Sequence, residues 1–223
     1  MLFIFDLDGT LADSKDSILA SVKHSLASLG LSKVQIDEVF VTQHDLATSF
    51  KKISEDEKID FDPQLCDLFI QNYRKHQIDE AESMLRLYPK VIETLDQLRS
   101  EFQLAVATTK HSAQAKRVLE RLEISSYFSH IQGTDPGLRY KPHPDILLKC
   151  LEIMSIEGQD AAYVGDSVHD MHAAREAKMK EIGAGYGFAG ATFLESHGPD
   201  HILNCISDLK TISKNIFSAK SFS

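Results

Sequence analysis

The chain opens on an unbroken apolar run, Leu2-Phe3-Ile4-Phe5, that ends abruptly at an acid. A short continuous apolar run predicts a strand buried on both faces. From Ser14 onward the rhythm becomes helical. Ile18, Leu19, Val22, Leu26 and Leu29 recur at spacings of three and four, with Asp13 or Ser14 as the N-cap and Gly30 as the stop. The same period returns in Leu46, Phe50 and Ile53. It returns again after Asp62-Pro63, a cap followed by a first-turn proline, in Leu65, Leu68, Phe69 and Tyr73.

Beyond Tyr88-Pro89 helix and strand patterns alternate. A helix carrying Val91, Ile92, Leu95 and Leu98 precedes the apolar strand Leu104 to Ala107. One carrying Ala115, Val118, Leu119 and Leu122 precedes a weaker strand around His130-Ile131. A third, starting at Pro144 and carrying Ile146, Leu147 and Leu151, leads to the strand Ala161 to Val164. Short apolar strands separated by helices predict parallel pairing with helices on both faces, a doubly wound, Rossmann-like α/β fold. The first strand joins that sheet. Residues 1–14 and 86–223 are therefore expected to form the α/β core, and residues 15–85 an inserted helical domain. Ligands of open α/β sheets bind beyond the carboxyl ends of the strands, so an insertion leaving from that edge is expected to act as a cap. The final SAKSFS is expected to be a frayed tail.

The carboxyl ends of these strands carry the candidate chemistry. The first ends in Asp6-Leu7-Asp8, the second in Thr108-Thr109-Lys110, and the strand at 161–164 in Gly165-Asp166, with Asp170 four residues on. Alternation along a strand would point Asp6 and Asp8 to one side. Taken alone, Asp8-Gly9 reads as a turn and Asp166-Ser167 as a helix cap; together they place four carboxylates on one edge. A hard divalent cation suits such a cluster, because Mg²⁺ takes oxygen ligands and commonly bridges carboxylates to a substrate phosphate.

Charge narrows the partners. With 24 Lys and Arg against 33 Asp and Glu the net charge is −9, which argues against nucleic acid and anionic membranes as partners. A small phosphate-bearing molecule remains compatible, since a metal ion supplies local positive charge. Cys66, Cys150 and Cys205 are odd in number and lack metal-site spacing, and the first apolar run is too short for a signal peptide or a membrane span. These features predict a cytoplasmic protein, monomeric or weakly dimeric.

The segments FDLDGTLADS, VATTK, YKPHPD and VGDSVHD lie in this order between residues 5 and 170. Together they resemble the four motifs of the haloacid dehalogenase superfamily, and most closely its phosphoglycolate-phosphatase-like branch, which carries a small helical cap after the first motif. The resemblance implies that Asp6 is a nucleophile that forms an aspartyl-phosphate, and that Asp8 is the general acid and then the general base. It implies that Thr108, with its neighbour Thr109, binds the phosphoryl group and that Lys141 offsets negative charge. It also implies that Asp6, Asp166 and the backbone carbonyl of Asp8 hold Mg²⁺, with Asp170 supporting the ion directly or through water.

The second acid, Asp8, separates this sequence from the dehalogenases, and Thr10 with TTK favours a hydrolase over a phosphomutase of the β-phosphoglucomutase type. The expected function is a Mg²⁺-dependent phosphatase of a small organic phosphomonoester, phosphoglycolate-like. The alternatives are such a mutase, a pyrophosphatase, or a silent phosphate- and metal-binding protein. In the cap the stretch VTQHDLATSF departs from the related phosphatases, leaving Gln43, His44, Lys51, Lys52 and Arg86 as candidate specificity residues. His169 and His172 read as surface histidines, since a hard Mg²⁺ site prefers oxygen. Lys110 is expected either near the mouth of the site or as a cap on its loop. The glycines of GAGYGFAG do not follow G-x-G-x-x-G spacing and are expected to form a strand end and a flexible loop.

Overall fold

The computed structural model describes residues 1–217, so the SAKSFS tail lies outside the described residues. Six strands form one fully parallel sheet: β1 (Leu2–Phe5), β4 (Gln103–Ala107), β5 (His130–Gln132), β6 (Ala161–Gly165), β7 (Lys180–Ala184) and β8 (His201–Leu203). Their spatial order is β5-β4-β1-β6-β7-β8. Two further short strands, β2 (Ala12–Asp13) and β3 (Arg86–Leu87), make a separate two-stranded sheet. The chain winds outward from β1 through β4 to β5, then crosses back to place β6 on the other side of β1. This is the doubly wound order with its reversal at the central strand, the place where such sheets bind ligands.

Burial explains why β1 sits at that centre. Leu2 to Phe5 are all fully buried, and each pairs on both sides, Phe5 with Val106 of β4 and with Val164 of β6. Leu2 and Ile4 pack with Ala105, Tyr163, Ile146 and Leu147 on one face. Phe3 turns to the other face, where its ring meets Phe102 and Phe217 edge-on at 5.0 and 5.3 Å. Six helices cover the sheet: α5 (Val91–Leu98), α6 (Ser112–Arg121), α7 (Asp145–Met154), α8 (Val168–Glu176), α9 (Ala191–Glu195) and α10 (Leu209–Ile216). The helix expected from Pro144 begins one residue later, with Pro144 as its N-cap.

The chain divides into two compact units, residues 1–13 with the chain from Leu87 on, and Ser14–Arg86. The second unit is helical: α1 (Lys15–Ser28), α2 (Glu38–Gln43), α3 (Leu46–Asp56) and α4 (Pro63–Asp79). Aspartates start three of these helices. Asp37 accepts from Phe40 N–H, Asp45 from Ala47 and Thr48 N–H, and Asp62 from Gln64 N–H, each satisfying donors that a helix start leaves open. Asp13 lies outside this unit, and Ser14 occupies the N-cap position of α1 without a side-chain capping bond.

α1 buries a row of hydroxyls beside its apolar residues: Ser17, Ser21 and Ser25 are no more than 1% exposed. All three are satisfied against α4. Ser17 Oγ donates to Gln77 Oε1 at 3.4 Å, Gln77 Nε2 donates to Ser21 Oγ at 2.9 Å, and Ser25 Oγ donates to Phe69 O at 2.5 Å. Small side chains let the two helix backbones approach, and the hydroxyls keep buried polar groups paired. Replacing Ser21 by Leu is expected to overpack this seam and strip Gln77 of an acceptor, destabilising the protein by about 3 kcal/mol, whereas Ser21→Ala costs about 1 kcal/mol. Urea midpoints of the two variants check this, and a leucine variant as stable as wild type would show that the seam is not close-packed.

Candidate active site

The site begins where β1 ends. Asp6 N–H still donates to Val164 O at 2.8 Å, extending the ladder one residue beyond the strand. The chain then folds tightly: Leu7 O accepts from Leu11 and Ala12 N–H, and Gly9 N–H donates to Ala12 O. Gly9 turns through φ +73°, a left-handed conformation that a side chain disfavours. Asp8 therefore sits in a turn, and its position is set by the loop and not by the strand alternation expected from sequence.

Asp6, Asp166 and Asp170 are buried and offer carboxylate oxygens within 4.8 Å of one another. Asp166 follows β6. Asp170 lies in the first turn of α8, where its Oδ2 accepts from Ser167 N–H at 2.9 Å and from Ser167 Oγ at 2.6 Å, closing a capping box. The cap expected at Asp166-Ser167 is thus made by Ser167, with Asp170 as its N3 partner.

Lys141 provides the central positive charge. Its side chain is 3% exposed, and Nζ lies 3.0 Å from Asp6 Oδ1 and 2.5 Å from Asp170 Oδ1. It also donates to Tyr163 Oη at 2.9 Å, whose own proton goes to Ala107 O at 2.7 Å. Burial opposes the Lys141 charge, but Asp170 and Asp6 more than offset it and hold the ammonium protonated well above its usual range. Arg139, on the same loop, instead makes an exposed pair with Asp145 at 2.8 Å.

The acids are raised as well, which for them favours the neutral form. Burial, reinforced by Asp170 and Asp8 and opposed by Lys141, pushes the Asp6 carboxyl up to about 7. Burial, then Asp170 and Asp6, drives Asp166 well above the carboxylate range. Once ionised, three carboxylates facing one ammonium would leave two negative charges uncompensated, the charge of one divalent cation. Asp8 Oδ1 is also buried without a hydrogen-bond partner, while Asp6 Oδ1 has Lys141 beside it. An all-oxygen donor set and an excess of two negative charges when the acids are ionised fit Mg²⁺. Both Asp170 oxygens are engaged by Lys141 and Ser167.

Asp8 has a different partner. Its Oδ2 lies 2.6 Å from Lys110 Nζ, with the two side chains only 17% and 11% exposed. Lys110, for which the sequence left two places open, thus belongs to the site, and the Asp8 carboxylate stands apart from the three clustered acids. Thr108 is fully buried; its N–H donates to Gln132 O and its hydroxyl accepts from Lys110 N–H at 3.4 Å. Thr109 is exposed and does not join these buried groups.

Gln43 and His44 lie in the helical unit, at the last residue and C-cap of α2. The His44 ring stacks on Phe40, centroids 3.8 Å apart, and Nδ1 is 2.9 Å from Phe40 O. Within the same unit Lys52 pairs with Asp56, Lys51 lies 4.0 Å from Glu55, and Arg86 donates to the carbonyls of Ser83 and Leu85. His172 is exposed and His169 half-buried.

Two contributors escaped the sequence reading. Tyr163 is read there as a strand apolar residue, yet its hydroxyl holds the lysine. The backbone N–H of Phe188 donates to Asp166 Oδ2 at 2.7 Å; a main-chain donor leaves no side-chain signature, and the glycines around it were the available signal. The loop expected to be flexible is instead tied to the site.

The comparisons agree with this geometry. A model of the haloacid dehalogenase-like hydrolases matches residues 3–184. The phosphoglycolate phosphatase of Aquifex aeolicus is 32% identical over 218 residues, covering 96% of this chain and 97% of its own length. The pyrophosphatase PpaX of Bacillus cereus is 28% identical over 215 residues, 96% of each chain. Among solved structures, a predicted phosphatase from Clostridium acetobutylicum superposes with a TM-score of 0.83 at 29% identity, covering 96% of this chain and 98% of that one. A model match that spans every clustered residue from Asp6 to Asp170 places the chain in the family of haloacid dehalogenase-like hydrolases.

Proposed function

We propose that the protein is a cytoplasmic, Mg²⁺-dependent phosphatase that hydrolyses a small phosphomonoester, phosphoglycolate-like, through an aspartyl-phosphate, an acyl phosphate on Asp6. The observation that carries this reading is the buried cluster of Asp6, Asp166 and Asp170 held against the single ammonium of Lys141. Asp6 and Asp166, with the Asp8 carbonyl, would hold the metal ion, and the engaged carboxylate of Asp170 favours a supporting part. The bound ion would supply charge that lets an anionic carboxylate and an anionic phosphate approach.

The chain's own residues do the rest. An Asp6 oxygen forms a bond to phosphorus as the bond from phosphorus to the leaving oxygen breaks, and Asp8 gives that oxygen its proton. Asp8 then takes a proton from water as the water attacks phosphorus, which releases inorganic phosphate and regenerates the Asp6 carboxylate. Thr108 accepts its hydrogen bond from Lys110 N–H, which leaves its hydroxyl proton to donate to a phosphoryl oxygen. Lys141 offsets charge on the nucleophile and the phosphate. Gln43 and His44 are kept as candidates for reading the rest of the substrate, and the relatives named pyrophosphatase keep pyrophosphate among the compounds to be tried.

Release of inorganic phosphate from small phosphate esters and pyrophosphate, with and without Mg²⁺, tests the reading. Asp6→Asn is expected to lower turnover by roughly 10⁴-fold or more, to the level of the blank. Substantial activity in that variant would remove Asp6 as nucleophile, and no turnover of any compound would favour the mutase or the silent binding protein.

Asp8→Asn is expected to slow turnover by about 10²- to 10⁴-fold and to accumulate phosphorylated protein. Acid-quenched samples analysed by mass spectrometry check this. An unaltered rate with no trapped phosphate would take Asp8 out of the acid-base role.

The raised Asp6 carboxyl sets a pH dependence. Its neighbours are Asp8, Asp166, Asp170 and the cation Lys141. A carboxyl at about 7 in the fold and near 3.8 when unfolded binds more protons folded across that window, so the metal-free protein loses stability there as pH rises, by roughly 4 kcal/mol at most. Asp6→Asn lacks this titration. In the presence of EDTA its Tm is therefore expected to gain on the wild-type Tm between pH 4 and 7 and to hold that gain above; a constant difference would contradict the shift.

A further inference from the structure

The loop after β7, Gly185 to Gly190, reads in sequence as a mere connector, but its first half is fastened to β8, to the loop after β1 and, through Phe188, to Asp166. Gly185 N–H donates to Leu203 O and Gly187 N–H to Ala184 O, both at 2.9 Å. Tyr186 Oη donates to Thr10 O at 2.9 Å, and its ring meets Tyr88 edge-on at 5.0 Å. These ties bring Phe188 N–H to 2.7 Å from Asp166 Oδ2. Gly187 allows the approach: a Cβ placed there would stand 2.3 Å from Asp166 Cβ, 2.3 Å from Gly9 O and 2.8 Å from Asp166 Oδ2. A Cβ on Gly9 would meet the same Oδ2 at 2.1 Å from the opposite loop. Asp166 is thus clamped between two glycine-bearing turns, one from each end of the described core.

We propose that this loop is a positioning element for the metal centre, in which Gly187 and the Phe188 N–H fix the Asp166 carboxylate and commit its Oδ2 to the protein, leaving Oδ1 for the cation. The inference rests on the phosphatase reading above and adds residues to that site. A carboxylate with one oxygen held by a main-chain donor loses its freedom to rotate before the ion arrives. Partners that orient a metal ligand in this way are worth about 10- to 100-fold in metal affinity. Gly187→Ala pushes directly on Asp166 and on the Gly9 carbonyl, and so removes that preorganisation. Tyr186→Phe is milder, cutting the single side-chain hydrogen bond that ties the loop to Thr10.

Isothermal titration of the full-length protein with Mg²⁺ alone tests the proposal, with circular dichroism as the check on folding. Gly187→Ala is expected to weaken Mg²⁺ binding by about tenfold or more, and excess Mg²⁺ to recover most of the rate, so that the loss falls on the Mg²⁺ half-saturation point. Tyr186→Phe is expected to weaken Mg²⁺ binding about threefold, and serves alone if Gly187→Ala does not fold. Gly198→Ala is the control. That glycine also has positive φ but no neighbour within 4 Å of an added Cβ, so its substitution lowers Tm without changing Mg²⁺ affinity. Wild-type affinity in folded Gly187→Ala, or in Tyr186→Phe where only that variant folds, would overturn the proposal and leave the phosphatase reading intact. Equal weakening in Gly198→Ala would reduce the effect to general stability and overturn it as well. A wild-type protein that takes up no Mg²⁺ at all would remove the phosphatase reading, and the proposal with it.

Discussion

The site depends on one buried ammonium. Lys141 Nζ touches the acid at the end of β1, the acid in the first turn of α8 and the phenol of β6. It therefore fastens three elements that the chain reaches at widely separated points. A buried charge is tolerable only when paired and hydrogen-bonded, and removing one partner of such a pair costs about 3–5 kcal/mol because the other is left uncompensated. The lysine and its acids are consequently a single structural decision. Neither Asp6 nor Asp170 could be held this deep without it, and it could not be held without them.

The sheet makes the encounter possible. Because β1 lies between β4 and β6, the carboxyl ends of three strands meet where the winding direction reverses. The acids of β1 and β6 and the threonine of β4 then arrive without any long loop having to search for them. The cluster collects unsatisfied negative charge at a place where strand ends leave main-chain donors available. Phosphoryl transfer asks mainly for positioning and charge stabilisation, and a parallel sheet with a topological reversal supplies both from its backbone.

Much of this was legible in the sequence, for physical reasons that can be named. β1, β4 and β6 are buried on both faces and read as continuous apolar runs, so their positions and the doubly wound fold followed from hydrophobicity alone. Asp6, Thr108 and Asp166 follow strand ends, where acids and hydroxyls stand out against apolar neighbours, and Asp170 stands one turn into the next helix; Lys141 was singled out only by the resemblance of its motif. The missing parts lacked that contrast. β8 is three residues at a sheet edge, its pattern too short to separate from a loop, and α2 is a six-residue helix started by Asp37 with only Val41 buried. The serine row of α1 hides because hydroxyls in a helix ordinarily face water, and here each is satisfied by α4. Lys110 could be placed only by a pairing with Asp8 across 102 positions in the chain, which no local pattern encodes.

The two lysines divide the acids into groups of different character. Lys110 pairs with Asp8 at the edge of the site, with both side chains partly open to water. Lys141 faces three clustered acids in the interior, which on ionising would carry two negative charges more than it offsets. A carboxylate that must exchange a proton with a leaving oxygen and with water has to remain reachable and close to neutral in its surroundings. A nucleophile that must meet an anionic phosphate instead needs surroundings that attract a cation. On the proposed reading, partition of the charge between Lys110 at the edge and Lys141 in the interior would let one strand end supply both, although Asp6 and Asp8 are separated by a single residue.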